Sequence, residues 1–198
     1  MNAFDTDTSL TSSDASCLVS THHSAVGRYL KNLSTTEITD IHNAGLKIWS
    51  IYEENPTYAS YFTTAQGKSD ASTAISQAKA LGVPKDTPIF FAVDYAPAST
   101  DQTAILDYFN GVASEMASAG SPYVVGVYGS KTVMWWLWND STFGDTIKYW
   151  QTEGNGSCGE LFPFNDLYQI SNTCNTNPVL SCGISIDPDY VLNSAVLW

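Results

Sequence analysis

The chain has 198 residues, 43% of them hydrophobic and only 14% charged, which supplies a sizeable core close to the lower limit of about 200 residues at which a (β/α)8 barrel closes. Twenty acidic against eight basic residues give a net charge of -12, which repels nucleic-acid phosphates and anionic membrane surfaces and favours neutral or cationic partners. No apolar run approaches the ~18 residues of a membrane span, so neither nucleic acid nor membrane is expected as a partner.

Asn2–Thr6 reads as a short strand ending at Asp5, followed by a capped helical segment around Ser9–Ser20 and a second strand, Ala25–Leu30. Thr35–Gly45 has a Ser/Thr cap, Ile38 and Ile41 at helical spacing and a glycine stop. Leu46–Glu53 is the third strand; the helix after it, about Thr64–Leu81, lays Ala71, Ala74, Ile75, Ala78 and Leu81 on one face. Pro88–Tyr95 is the most informative stretch. Ile-Phe-Phe-Ala-Val is too short for a helix and apolar on both faces, as a buried parallel strand must be, and it ends on a carboxylate, Asp94. A helix over Asp101–Ala119, a strand over Val124–Tyr128, a helix over Lys131–Asn139 and a strand over Ile147–Gln151 continue the alternation. Asp166–Ile170 and Ile184–Asp187 add two strands after the helices have shrunk.

About eight strands alternating with helices, each running from apolar residues to a polar tip, predict an α/β fold: a compact (β/α)8 TIM-type barrel of parallel strands, one domain over 1–198, with reduced helices in its C-terminal part. A doubly wound sheet fits less well, because no Gly-rich phosphate turn follows the first strand.

The four cysteines, Cys17, Cys158, Cys174 and Cys182, do not have zinc-site spacing. Their even number favours disulfides, with the pairing left open. Met1 is followed at once by a strand, so no secretory leader is expected within this sequence.

Parallel strands share one mouth at their carboxyl ends, which collects Asp5, Arg28, Tyr52, Glu53, Asp94, Tyr95, Tyr128, Gln151, Gln169, Asp187 and Asp189. Carboxylates, amides and flat rings in one cleft are what cleaving a glycosidic bond requires: a protonated acid, a carboxylate to steady the oxocarbenium-like centre, and rings on which sugars stack. Asp94, Glu53, Asp5 and Asp187 are therefore the candidate catalytic groups. Arg28, Tyr52, Tyr95, Tyr128, Gln151, Gln169 and Asp189 are the candidate sugar contacts. Crowded carboxylates raise at least one pKa, and Glu53 is assigned as proton donor, with Asp94 stabilising the charged sugar or its acetamido group. A salt bridge from Arg28 to Glu53 would instead lower that pKa. Glu54, one residue on, points away by strand alternation. An acidic cluster can also bind Ca²⁺ or Mg²⁺, but no metal or other cofactor is expected. His22, His23 and His42 fall at the strand-start end, Ser130 lacks the Gly-x-Ser-x-Gly elbow, and Trp135, Trp136 and Trp138 read as a helix packing on the barrel.

Phe4-Asp5-Thr6, Gly27-Arg28-Tyr29-Leu30, Trp49-Ser50-Ile51-Tyr52-Glu53, Tyr61–Gly67, Phe91-Ala92-Val93-Asp94-Tyr95, Gly126-Val127-Tyr128-Gly129-Ser130 and Ile186–Tyr190 resemble, in order, the glycoside-hydrolase-like domain of unknown function related to family 25 lysozymes. The resemblance implies a (β/α)8-type barrel, secreted or cell-wall-associated, whose lysozyme relatives cut the β-1,4 bond between N-acetylmuramic acid and N-acetylglucosamine. It matches Asp5 to the first-strand aspartate, Asp94 to the first acidic residue of the fourth-strand Asp-x-Glu, and Asp187 or Asp189 to the last-strand aspartate. Ala96 stands where those lysozymes carry the catalytic glutamate. The expected partner is a peptidoglycan or related amino-sugar polysaccharide, and a monomer is expected.

Overall fold

The computed structural model describes residues 2–170 and 178–198. Strands β1 (Asn2–Thr6), β2 (Ala25–Tyr29), β3 (Lys47–Tyr52), β4 (Pro88–Ala92), β5 (Val124–Gly129), β6 (Lys148–Thr152) and β7 (Leu167–Gln169) pair in chain order, all parallel. β8 (Val179–Ser181) and β9 (Ile184–Val191) form a hairpin, and β9 enters between β7 and β1 to close an eight-stranded TIM-type barrel, with β8 outside it.

The closing strand departs from the all-parallel expectation, since β9 runs antiparallel to both β1 and β7. The cause is local. Cys182 and Gly183 join β8 to β9 with φ of 53° and 78°, the two successive positive values of a tight hairpin turn, so the chain returns on itself instead of crossing over through a helix.

Among the described residues five α-helices wrap the outside: α1 (Ser12–Ser20), α2 (Thr35–Ala44), α3 (Thr64–Leu81), α4 (Gln102–Ser118) and α5 (Lys131–Trp138). Thr11, Ser34, Thr63 and Ser130 cap α1, α2, α3 and α5 by accepting a backbone N–H, which gives Ser130 a structural occupation. After α5 the described residues contain no α-helix, and residues 153–166 cover β6 and β7 as a loop. Trp135 and Trp138 pack edge-on against Phe162 of this loop, and Trp138 stacks flat on Phe164 at 4.0 Å.

The core has two layers. Between strands and helices lie Phe4, Val26, Ile48, Phe91 and Val127 with Leu18, Ile41, Ile75, Phe109 and Leu137. Inside the barrel Trp49, Phe90, Tyr128 and Trp150 fill the lumen, with Trp150 touching the other three rings. Large rings fit because glycines oppose them: a Cβ at Gly27 would lie 2.6 Å from the Trp49 ring, and one at Gly126 2.7 Å from Phe90. Outside, α3 and α4 touch backbone to backbone at Gly67 and Gly111. Beside that crossing the buried Asp70 accepts hydrogen bonds from the hydroxyls of Tyr52, Tyr61 and Tyr108 and from the Gln66 amide.

A disulfide joins Cys17 on α1 to Cys182 in the β8–β9 turn and so clamps the closing hairpin to the start of the fold. Cys158 is also disulfide-bonded, while Cys174 lies outside the described residues. No helix among the described residues is long and apolar enough to cross a membrane.

Candidate functional site

Strand alternation decides which side chains enter the lumen. Ala25, Trp49, Phe90, Gly126 and Trp150 face inward, and two-residue steps along each strand lead to Tyr29, Glu53, Asp94 and Tyr128 at the mouth. On β1 the same parity gives Ala3 and then Asp5, and on β7 Leu167 and then Gln169. The antiparallel β9 descends from the mouth, so Asp187, opposite Asp5, comes first and Asp189, opposite Ala3, lies one layer deeper.

The resulting cavity, about 120 Å³, is lined by Asp5, Tyr29, Ile51, Glu53, Asp94, Tyr128, Trp150, Gln169 and Asp187. A second hollow of about 220 Å³ shares Asp5, Tyr29 and Asp187 and adds Thr6, Asp7, Pro178 and Ser185, which extends the site along the β1–β9 seam as one acidic cleft. Among the described residues no Lys, Arg or His lines either hollow. Among the described residues no three or more His, Cys, Asp or Glu side chains are grouped as a metal ion would need.

Hydrogen bonds fix the deep part of the site. The Tyr128 hydroxyl donates to Gln169 Oε1 at 2.8 Å, and Gln169 Nε2 donates to Asp5 Oδ2 at 2.7 Å. Trp150 Nε1 donates to Asp189 Oδ1 at 2.8 Å. Nearer the solvent, Asn155 Nδ2 donates to Asp94 Oδ1 at 3.2 Å.

The electrostatics follow from burial and like charge. Glu53 is pushed up to about 7, first by burial and then by the Asp94 carboxylate, with Lys31 pulling the other way. Asp5 is pushed up to about 8 by burial and by Asp187, against the stabilising bond from Gln169. Burial, Asp7 and Asp94 raise Asp187, and burial with the Asp5 charge raises Asp189 well above the carboxylate range. Such a site holds acids that keep their protons near neutrality beside a half-buried carboxylate open to the cleft.

Six of the residues expected at the mouth meet there: Asp5, Glu53, Asp94, Tyr128, Gln169 and Asp187. Asp189 lies below them. Four others face outward, because each sits one residue off the inward parity. Arg28 is fully buried under α2, where its Nε donates to Glu37 Oε1 at 2.8 Å and its Nη1 to the Thr6 carbonyl, so it makes no bridge to Glu53. Tyr52 donates to Asp70 at 3.2 Å. Tyr95 stacks on Phe62 and donates to Asp101 Oδ2 at 3.2 Å. Gln151 anchors the 153–166 loop, accepting from Phe162 N at 2.7 Å and donating to the Glu160 carbonyl. Glu54 points away as expected and pairs with Lys31 at the surface. Tyr29, Ile51 and Trp150 line the cavity although reading strand tips alone overlooks them; counting in twos from Glu53 or Gly27 finds Ile51 and Tyr29. Asn155, in a glycine-flanked loop, has no comparable signal.

Known proteins are similar to this chain in sequence or in fold. FadG of Bacillus subtilis is 31% identical over 175 residues, 82% of this chain, and the chain spans less than a third of the length of the curated relatives it matches. The Tat-secreted protein Rv2525c of Mycobacterium tuberculosis superposes with a TM-score of 0.81 over 97% of this chain and 95% of that one, at 21% identity. The modular autolysin LytC of Streptococcus pneumoniae, solved in complex with a synthetic peptidoglycan ligand, gives a TM-score of 0.61 at 13% identity over 95% of this chain and 46% of LytC, a likeness of fold. The sequence model of one family matches residues 16–191, nearly the whole barrel, and the chain belongs to that family, described as Rv2525c-like, glycoside hydrolase-like domain.

Proposed function

We propose that this barrel is a glycoside hydrolase of peptidoglycan or a related amino-sugar polysaccharide, working from a cleft at the carboxyl ends of β1–β7 as part of a secreted or cell-wall-associated protein. The observation that carries the reading is the pair Glu53 and Asp94 on neighbouring strand ends of one cavity, with Glu53 raised to about 7. Glu53 then keeps its proton near neutral pH and delivers it to the leaving oxygen, while Asp94 stabilises positive charge on the sugar or engages its acetamido group. Adjacent strands lie about 5 Å apart, which lets carboxyl groups from neighbouring strand ends reach the separation of roughly 5 to 9 Å that such enzymes use. Tyr29, Tyr128 and Trp150 give the cavity aromatic walls. The peptidoglycan ligand reported for LytC, which shares the fold, supports that choice of polymer.

Incubation with purified peptidoglycan and with chitin oligomers, assayed for new reducing ends, tests this. Glu53→Gln is expected to abolish release and Asp94→Asn to lower it severely while moving the upper limb of the pH profile down, because it removes a charge that raises Glu53. If Glu53→Gln retains most activity with both limbs intact, the donor lies elsewhere.

One observation favours a second reading, a barrel that binds cell-wall glycans without turnover. Ala96, at the position of the lysozyme glutamate, is exposed at the rim and brings no acid to the cleft. Glycan binding with no reducing ends released at high protein concentration over days supports that alternative.

A further inference from the structure

Asp189 has no part in the mechanism above, yet it is among the most deeply buried polar groups of the lumen. Its Oδ1 accepts the Trp150 indole N–H at 2.8 Å, whereas its Oδ2, equally buried, meets no N–H or O–H donor. A buried carboxylate oxygen left bare costs too much to be retained without a partner. The β1–β9 register supplies one: Asp189 faces Ala3 and shares the inward parity of Asp5, which lies diagonally across the strand pair. The two carboxyl groups are close enough to shift each other's proton affinity. Neither can donate when ionised, so the bare Oδ2 gains a partner in Asp5 only if one of the two carries a proton.

We propose that Asp5 and Asp189 form a proton-sharing carboxyl–carboxylate pair on the floor of the cavity, in which Asp189 is a positioning residue for Asp5 and not a contact for sugar. Gln169 and Trp150 hold the outer oxygens, and Tyr128 orients Gln169. One proton lies between the inner oxygens and is shared by the two carboxyl groups. The other groups facing it are Asp187 on β9 itself, Glu53 on β3, Tyr29 on β2, Tyr128 on β5 and Asp94 after β4, none of them a cation. His23 lies outside the barrel wall, its ring against Phe4. Asp5, engaged at both oxygens, is thereby excluded as the donor to substrate. It keeps the floor from holding two full charges beneath Glu53 and Asp94. That consequence rests on the glycosidase reading, but the pair itself is open to measurement with no substrate present.

The test is carbon NMR of the unliganded protein labelled at the aspartate side-chain carboxyls, followed through a pH titration. Free aspartates lose their proton near pH ~3.9. The expected result is that Asp5 and Asp189 titrate together in two coupled steps, with a shared proton still held at neutral pH. Asp5→Asn, which preserves shape, is expected to bring the Asp189 midpoint to lower pH, at about tenfold or more higher proton concentration, and Asp189→Asn to leave Asp5 titrating in a single uncoupled step. Two independent single-step titrations in the unmutated protein, or an Asp189 midpoint unmoved by Asp5→Asn, would overturn the proposal. Coupled titration in a protein that releases no reducing ends leaves the pair standing and removes the hydrolase reading alone.

Discussion

Glu53→Gln should make the protein more stable at neutral and alkaline pH. Glu53 is raised from 4.5 to about 7 in the folded chain, so between those values the folded state binds a proton that the unfolded state has released. The stability associated with this group is therefore complete below pH 4.5 and is lost as pH rises through about 7. At ~1.4 kcal/mol for each tenfold change in the proton equilibrium, the shift corresponds to a ceiling of about 3 kcal/mol. Partial access to solvent and relaxation of Asp94 reduce that to about 1.5–2 kcal/mol. The glutamine side chain has the same shape and no charge to strand, so the substitution removes the penalty and changes little else. Asp5 titrates in the same range in both proteins and cancels in the main, since Glu53 is the last of the causes that raise it and its removal acts in the same direction. The assay is urea unfolding of both proteins at about pH 5 and about pH 8 with disulfides intact. The stability difference between them should shift in favour of the variant by about 1.5–2 kcal/mol on going to the higher pH. If the two curves run parallel within about 0.5 kcal/mol, Glu53 ionises like an ordinary glutamate and cannot be the proton donor.

Replacing Asp70 by Ala strips the acceptor from three tyrosine hydroxyls and the Gln66 amide. Tyr52 and Tyr108 are buried and cannot turn to water, so urea unfolding should show a loss of about 3–4 kcal/mol. Gly67→Ala would set a Cβ 2.0 Å from the Tyr108 carbonyl oxygen, forcing α3 and α4 apart. The helix-propensity gain of about 1 kcal/mol is outweighed, and thermal unfolding should report a net loss of about 2–3 kcal/mol. Arg28→Ala takes the guanidinium partner from the buried Glu37 carboxyl, which keeps the Leu10 N–H. A loss of about 3–5 kcal/mol is expected, with glycan affinity of the folded fraction unchanged, since Arg28 does not reach the cleft.

The first six strands and the five helices of the described residues were legible because the strands of the parallel wall are buried on both faces and most helices carry a side-chain cap or a glycine stop. The direction of the last strand was missed, although its pattern differs. Pro88–Ala92 is buried at every position, whereas in Ile184–Asp187 buried Ile alternates with more exposed Ser and Asp, the mark of a strand open on one side and hence of antiparallel pairing. The site was half legible for a related reason. Taking the last polar residue of a strand as its tip selects Arg28 and Gln151, but facing is set by parity, which selects Tyr29 and Trp150 instead. Glu53 and Asp94 were found because at those tips the polar residue and the inward position coincide. What no pattern revealed was the replacement of an expected partner: Arg28 sits on the strand beside Glu53, and only the placement of α2 shows that Glu37 has claimed it.

Because β9 closes the barrel between β1 and β7, the cleft joins residues from opposite ends of the chain, with Asp5 and Asp187 in direct register. Pairings of such sequence separation carry the largest loop-closure entropy and tend to form late in folding. Strands β1 to β7 and the helices can therefore pack before the pocket is complete, and Asp5 meets Asp187 and Asp189 only in the last step. The repulsion among those three acids then acts on the closing strand. The Cys17–Cys182 bond, one residue before the Gly183 at which the chain turns back into β9, tethers that strand while the step occurs. A reduced chain is expected to lose the seam between β1 and β9 first, with hydrogen exchange rising there while β3 to β5 remain protected.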